Sequence, residues 1–335
     1  MAISIDLYAD TTDIDRDTDV LEDTLKSLRI SGSIVLRETY ASPWAVSVPD
    51  SGRLAALLQT DKSVQVIAFH LVEFGHCIIK SSKADPVHLK AGEMLVCFGG
   101  DAHQLSLGEA INAQSIEALL TGHPNAQQPK AKPSDEQTAL LCGVFQLAHT
   151  EFNPLYSALP SLMHVNLTRA GAFNNLSGVS GLMAEEIDRR APGSGYVIAR
   201  LLEVLCAEAI RSHVENLTQH EASWFRGIKD PKVGKALAII HNRPGDDWSV
   251  HRLADEVSMS PSRFAARFAE TIGDTPMAYL TRWRMNLACR DLTDNKYSVS
   301  QIAECVGYDS PAAFSRAFKK HIGETPVAWR ARMMS

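Results

Sequence analysis

VSQIAECVGYDSPAAFSRAFKKHIGETP, residues 299–326, decides the fold of this chain, because it is a second copy of VHRLADEVSMSPSRFAARFAETIGDTP, residues 250–276. The period is about 50 residues, the signature of a repeated supersecondary unit. Val250, Leu253, Ala254 and Val257 align with Val299, Ile302, Ala303 and Val306, at helical spacing with a small residue for close packing. After one extra residue in the turn of the second copy, Pro261, Phe264, Phe268, Ile272, Gly273, Thr275 and Pro276 align with Pro311, Phe314, Phe318, Ile322, Gly323, Thr325 and Pro326.

Each copy therefore reads as helix, tight turn, helix. Ser260 and Ser310 are N-cap residues, and the prolines after them occupy the first helical position, whose N–H has no intrahelical partner anyway. The two phenylalanines and the isoleucine, four residues apart, form the buried stripe, and Gly273 and Gly323 stop the helix. The opposite face carries Ser262, Arg263, Ala266 and Arg267 in the first copy and Ala312, Ala313, Ser315, Arg316, Lys319 and Lys320 in the second. Small residues beside long basic ones suit a helix pressed into a DNA major groove about 12 Å wide, with arginine reaching guanine edges or phosphates. Between the copies, MAYLTRWRMNLACRDL from Met277 reads as an amphipathic helix, Leu280, Trp283, Leu287 and Cys289 inward and Arg282, Arg284 and Arg290 outward. At 1.5 Å per residue it spans about 24 Å, enough with the flanking bodies to set two recognition helices roughly one DNA turn apart. Arg282 and Arg284 are counted with the DNA-facing residues.

Charge supports the division. Residues 224–335 hold 17 Lys plus Arg against 12 Asp plus Glu, and the first 223 residues hold 16 against 27, so the net charge of −6 conceals a basic C-terminal part. A chain of 335 residues exceeds one ordinary core. No stretch approaches about 18 uninterrupted apolar residues, and the start MAISIDLYADTTDIDRDTDV reads as acidic where a signal peptide is expected to be basic and then apolar. A cytoplasmic protein with no membrane partner is expected. Cys77, Cys97, Cys142, Cys206, Cys289 and Cys305 form no CxxC pair, which argues against a zinc ribbon or a disulfide framework.

Residues 225–331 resemble the DNA-binding domain of the AraC/XylS transcription regulators, on the doubled unit, on AECVGYDSPAAFSRAFKKHIGETP and on LTRWRMNLA. Ser258 stands where that family usually has glycine, and Ala266 where it often has arginine.

From about Ser33 the rhythm changes to short apolar runs cut by Gly75, Asp85-Pro86, Gly92 and Gly99-Gly100, as in a small β-barrel. FHLVEFG from Phe69, LKAGEMLVCFGGDAH from Leu89, LLCGVFQL from Leu140 and the following NPLYSALP resemble the cupin-type sensor half of one group of the same regulators. His103 follows Gly92 and Gly100 as the histidine of a cupin's second motif does, but a His-x-His pair with a downstream Glu is absent ahead of His70, so no catalytic metal and no cofactor are expected. A cavity for a small-molecule effector is expected instead, with His70 and His103 as polar points and Cys97 and Cys142 on its border. A thiolate held beside an imidazolium, or a soft metal on two imidazoles and a thiolate, remains open.

GHPNAQQPKAKPSDEQ, residues 122–137, reads as a disordered excursion. Helices over Gly178–Arg189 and Tyr196–Val214 follow, the second with Ile198, Leu201, Leu202, Leu205 and Ile210 on a broad stripe that is either core or a dimer seam, and the family resemblance implies the dimer. The expectation is an α+β chain: a cupin-like effector-sensing barrel over 1–172, a helical linker and dimerisation element over 173–222, and a DNA-binding domain over 223–335. What the resemblance implies is a homodimeric regulator, with double-stranded DNA, an unidentified effector and, in an activator, RNA polymerase as expected partners. The alternatives are a cupin metal enzyme fused to a DNA-binding domain and an architectural DNA binder that senses nothing.

Overall fold

The computed structural model describes residues 19–61, 64–109, 112–120, 136–148, 150–167, 175–217 and 223–333. They gather into two compact units, one built on Ser27–Phe225 and one on Arg226–Arg330, which also takes in the described residues up to Lys26. The first helix, α1 (Val20–Ser27), is thus largely part of the second unit. The expected excursion over 122–137 falls outside the described residues except for Glu136 and Gln137.

The first unit is a pair of five-stranded sheets. In chain order its elements are β1 (Arg29–Ala41), β2 (Trp44–Val48), α2 (Ser51–Leu57), β3 (Gln65–Phe74), β4 (His76–Ser81), β5 (Val87–Lys90), β6 (Glu93–Val96), β7 (His103–Leu107), β8 (Gln114–Ser115), α3 (Ile116–Leu120), β9 (Gln137–Ala148), α4 (Pro154–Ala158), β10 (Met163–Asn166), α5 (Asn175–Arg189) and α6 (Ser194–Asn216). One sheet runs β1-β9-β3-β6-β10 and the other β5-β4-β7-β2-β8, antiparallel except for β2 with β8. Turn glycines make the corners: Gly75, Gly92 and Gly100 all have positive φ, which a side chain would oppose.

Alternation along β3 places Val66, Ala68, His70 and Val72 on one face, and along β9 Leu140, Cys142 and Val144. They meet Trp44, Val46, Val48, Cys77, Ile79, Leu89, Leu105 and Leu107 in the core. The register sets Ala68 opposite Val144, His70 opposite Cys142 and Val72 opposite Leu140. The other face of β3 is buried too. Phe69 stacks on Phe145 with centroids 4.5 Å apart, and a Cβ on Gly143 would come within 2.6 Å of the Phe69 ring.

α6 packs on β1, β9 and β10. A Cβ on Gly32 of β1 would lie 2.9 Å from Leu202 Cβ, so glycine sets how closely this helix approaches the sheet. Leu202, Leu205, Cys206, Ala209 and Ile210 are buried, and each large apolar side chain contributes about 1.5 to 3 kcal/mol to holding it there. This corrects the expected dimer seam: Leu202, Leu205 and Ile210 are spent within their own unit, because a two-sheet body needs its outer apolar face covered. What α5 and α6 leave exposed is Leu182, Tyr196, Val197 and Val204.

The second unit is all helix: the part of α7 (Ser223–Lys229) from Arg226 onward, then α8 (Pro231–Asn242), α9 (Val250–Glu256), α10 (Pro261–Ile272), α11 (Pro276–Asp294), α12 (Val299–Cys305), α13 (Pro311–Ile322) and α14 (Pro326–Met333). The starts and stops are those of the repeat. Ser310 accepts the Ala313 N–H, and Gly273 and Gly323 end α10 and α13 in the left-handed conformation. Ser260 begins α10 without a side-chain cap.

Candidate DNA interface and sensor core

In the helical unit, Phe264, Phe268, Phe314 and Phe318 are fully buried, and the ring pairs sit 5.7 Å apart on α10 and 5.5 Å apart on α13. The second ring of each pair meets an aromatic on the next helix, Phe268 with Tyr279 and Phe318 with Trp329. The repeat therefore runs further than the stretch quoted above: Thr-Pro-x-Ala-aromatic closes both copies, and Thr275 and Thr325 cap Ala278 and Ala328 alike, each at 3.3 Å. The identical Thr-Pro pairs were the available signal. Asp230-Pro231, which opens α8, was another: Asp230 Oδ1 accepts the N–H groups of Lys232 and Val233.

Rigid burial on one side leaves the other free. Ser262, Arg263, Ala266 and Arg267 are exposed on α10; Ala312, Arg316, Lys319 and Lys320 are exposed on α13, with Ala313 and Ser315 half-buried beside them. The two faces are unequal. Arg267 is held by Asp230 Oδ2, with Nη2 at 2.6 Å and Nε at 3.0 Å, so that, among the described residues, the first recognition helix keeps Arg263 as its unpaired exposed long cation while the second keeps Arg316, Lys319 and Lys320.

The outward placement of Arg284 needs correction. Its Nε donates to Pro244 O and its Nη2 to Asp246 O, both at 2.7 Å, and Nη1 reaches Gly307 O at 3.4 Å. The loop before α9 and the turn after α12 present bare carbonyls, and a five-donor guanidinium satisfies them. Arg284 braces the two copies and does not project to a ligand. Arg282 lies over the Tyr279 ring, 5.5 Å from its centroid. Ser258 and Gly307 hold the same turn position, at φ +52° and +77°.

In the sheet unit the four expected residues come together. The antiparallel register puts His70 beside Cys142, Nδ1 to Sγ 3.1 Å. His103, the first residue of β7 on the facing sheet, brings its Nε2 to 2.7 Å from His70 Nε2 and 3.9 Å from Cys97 Sγ. His103 Nδ1 lies 2.8 Å from Asp101 O. A carbonyl only accepts, so His103 carries its proton on Nδ1 and offers a lone pair at Nε2. His70 must then donate from Nε2, and its Nδ1 accepts from the Cys142 thiol. Every polar atom of the chain Cys142–His70–His103–Asp101 is satisfied, which is what a group of this kind needs in an apolar core.

His70 is 1% exposed and His103 6%. Burial pushes the His70 imidazole well below its ordinary pKa, with the His103 charge adding to it, and burial also lowers His103 against the opposing pull of the Asp101 carbonyl. The Cys97 thiol is pushed up to about 12 and Cys142 is raised further, again by burial. Burial thus works against the thiolate–imidazolium pair that the sequence left open, disfavouring the charged form of both the thiols and the imidazoles. Among the described residues, His70, Cys97 and His103 have nitrogen and sulfur donors all within 4.8 Å of one another, with no carboxylate among them. A hollow of about 370 Å³ opens on this unit between Ile34, Ile187, Arg190, Ser194 and Ile198, none of which the sequence reading took for an effector site.

No helix among the described residues is long and apolar enough to cross a membrane. A cupin family matches residues 19–215 and a helix-turn-helix domain family residues 253–332. The HTH-type transcriptional regulator AlkR of Acinetobacter baylyi is 31% identical over 225 residues, covering 66% of this chain and 73% of its own. An AraC-like transcription regulator of Streptomyces antibioticus is 28% identical, over 87% of this chain and 91% of its own. The DNA-binding domain of the global transcriptional factor AdpA, solved in complex with a target DNA, is 31% identical, with a TM-score of 0.29, over 30% of this chain and 91% of its own.

Proposed function

The chain belongs to the AraC-type transcription regulators that carry a cupin sensor domain, and from that premise we propose that it binds its operator through the exposed faces of α10 and α13 and receives its signal at the His70–His103 core. The relatives are transcription regulators, so the enzyme reading of the cupin half falls away. The observation that carries the proposal is the pair of recognition helices, each anchored by two buried phenylalanines and each bare on the face that holds arginine. Anchoring from behind fixes the position of a side chain that must meet a base edge to within a hydrogen-bond length.

In this reading α13 supplies most of the base contact through Arg316, with Lys319 and Lys320 on phosphates. Small residues at Ala312, Ala313 and Ser315 let the helix seat deeply. α10 contributes Arg263, and Ser262 and Ala266 allow close approach. The two helices read successive major-groove segments, and a homodimer doubles the site. A cytoplasmic location and contact with RNA polymerase follow from that role. Footprinting the full-length chain on its operator tests the assignment: Arg316→Ala must weaken the segment read by α13 selectively, and an unchanged operator preference overturns it.

A further inference from the structure

The geometry points to the His70–Cys97–His103 cluster as a binding site for a soft monovalent metal ion, Cu(I), held by His70 Nε2, His103 Nε2 and Cys97 Sγ. This rests on reading the same core as the sensing site and names the class of its signal.

Four observations converge. Both imidazoles are tethered at Nδ1, His103 by Asp101 O at 2.8 Å and His70 by Cys142 Sγ at 3.1 Å, so both Nε2 atoms are aimed at one point. Fixing the far nitrogen of each ligating histidine is the usual way a protein presents a lone pair to a metal. The two Nε2 atoms are 2.7 Å apart, a bridging-proton distance. With metal–nitrogen bonds of about 2.0 Å they need to part to about 3.4 Å, a movement of well under 1 Å. Cys97 Sγ is 3.9 Å from His103 Nε2, about the edge of a three-ligand triangle. Finally, the surroundings are apolar, and Asp101 turns its carboxylate outward to Lys83 at 2.5 Å.

The last point selects the ion. One thiolate and two neutral imidazoles neutralise a monovalent cation and leave Zn(II) with an uncompensated positive charge in the core, which is costly there. Sulfur and imidazole donors also favour Cu(I) among soft ions. The proton balance closes: the Cys97 proton leaves to solvent, the His70 proton passes from Nε2 to Nδ1, where Cys142 Sγ accepts it, and the site is neutral before and after. Cys142 is a positioning residue here, not a ligand.

The test uses the full-length chain titrated with Cu(I) against a chromophoric Cu(I) chelator. One equivalent is withheld from the chelator by the wild type, and Cys97→Ser and His103→Gln each weaken it at least 100-fold. Cys142→Ser weakens it about tenfold at unchanged stoichiometry. Cys305→Ser, at the exposed thiol, keeps the full equivalent. X-ray absorption of the loaded wild-type chain reads two nitrogens and one sulfur, independently of how well any variant folds. A chain that withholds no Cu(I), binding that survives Cys97→Ser, binding lost with Cys305→Ser, a sulfur-only shell, or Zn(II) taken up in preference each overturns the proposal. A chain that loads Cu(I) as described but regulates identically with and without it upholds the site and sinks the sensing reading alone.

Discussion

Asp230 holds Arg267 at 2.6 Å with one carboxylate oxygen while the other caps the first turn of α8. The first recognition helix is thereby fastened to the scaffold through the residue that would otherwise extend its basic face. Position 317, the counterpart in the second copy, is alanine, and there Arg316, Lys319 and Lys320 are exposed with no ion pair among the described residues.

Recognition is expected to be lopsided in consequence. Arg316→Ala should lose about 1 to 3 kcal/mol of specific affinity, as for an arginine paired with a guanine. Arg267→Ala should change the operator preference little. Lys320→Ala should weaken all sequences alike and reduce the salt slope by about 1. Equal losses of specificity for Arg316→Ala and Arg267→Ala in competition binding would contradict this.

The same ion pair makes a pH prediction. Burial tends to raise the Asp230 pKa, but the Arg267 hydrogen bond and the Val233 and Lys232 N–H groups outweigh it and hold the carboxylate below its ordinary 3.8. A pKa lower in the folded chain means stability that is present above the unfolded value and lost as pH falls through the folded one. Asp230→Asn should melt lower than wild type at pH 7, with the gap closing as the pH falls past the ordinary 3.8 and through the lower folded value. A gap that is constant with pH rules out the carboxylate charge as its source.

Ser258 sits in the left-handed region at φ +52°, where Gly307 sits in the second copy. Ser258→Gly should stabilise the chain by up to about 1 kcal/mol. Gly307→Ala should cost about 1 to 3 kcal/mol, since a Cβ there would meet Arg284 Nη2 at 2.6 Å as well as an unfavourable φ. Thermal melts of the two variants check both signs.

The triple variant His70→Ala, His103→Ala, Cys142→Ser should abolish the difference between induced and uninduced transcription in cells. If it regulates its promoter as the parent does under every signal tried, metals and oxidants included, this core is not the receiver.

A fragment starting near Ala222 should fold and bind the operator more weakly than the full chain. It lacks α1, whose Asp23 lies 3.8 Å from His241 Nδ1, and His241 is otherwise enclosed by Tyr279 and Trp283. Its melting temperature should therefore fall below that of the helical unit in the full chain. An unfolded or non-specific fragment would refute the modular reading.

Much of this was legible in the residues. Ser-Pro starts and glycine stops are local devices, and they marked α10 and α13 to the residue; Gly75, Gly92 and Gly100 likewise marked the corners of the sheets. His70 and Cys142, 72 residues apart, were found together because strand alternation sends both inward. What stayed hidden depends on distant partners. Whether the α6 stripe faces its own sheet or another copy turns on Gly32 admitting Leu202. Whether Arg284 faces solvent or carbonyls turns on a loop about 40 residues earlier in the chain. The state of the thiols turns on the depth of burial, which spacing does not reveal.

One element has two masters. α11 roofs the first copy through Tyr279 against Phe268, and through Arg284 it also braces the turn of the second. α14 roofs the second copy through Trp329. Removing everything from Pro326 should uncover Phe318 and leave the roof of the first copy in place, whereas damage in α11 should unsettle both copies at once. The tandem behaves less like two beads on a string than like two rooms sharing a wall, and substitutions in that wall should be the least tolerated of any in the helical unit.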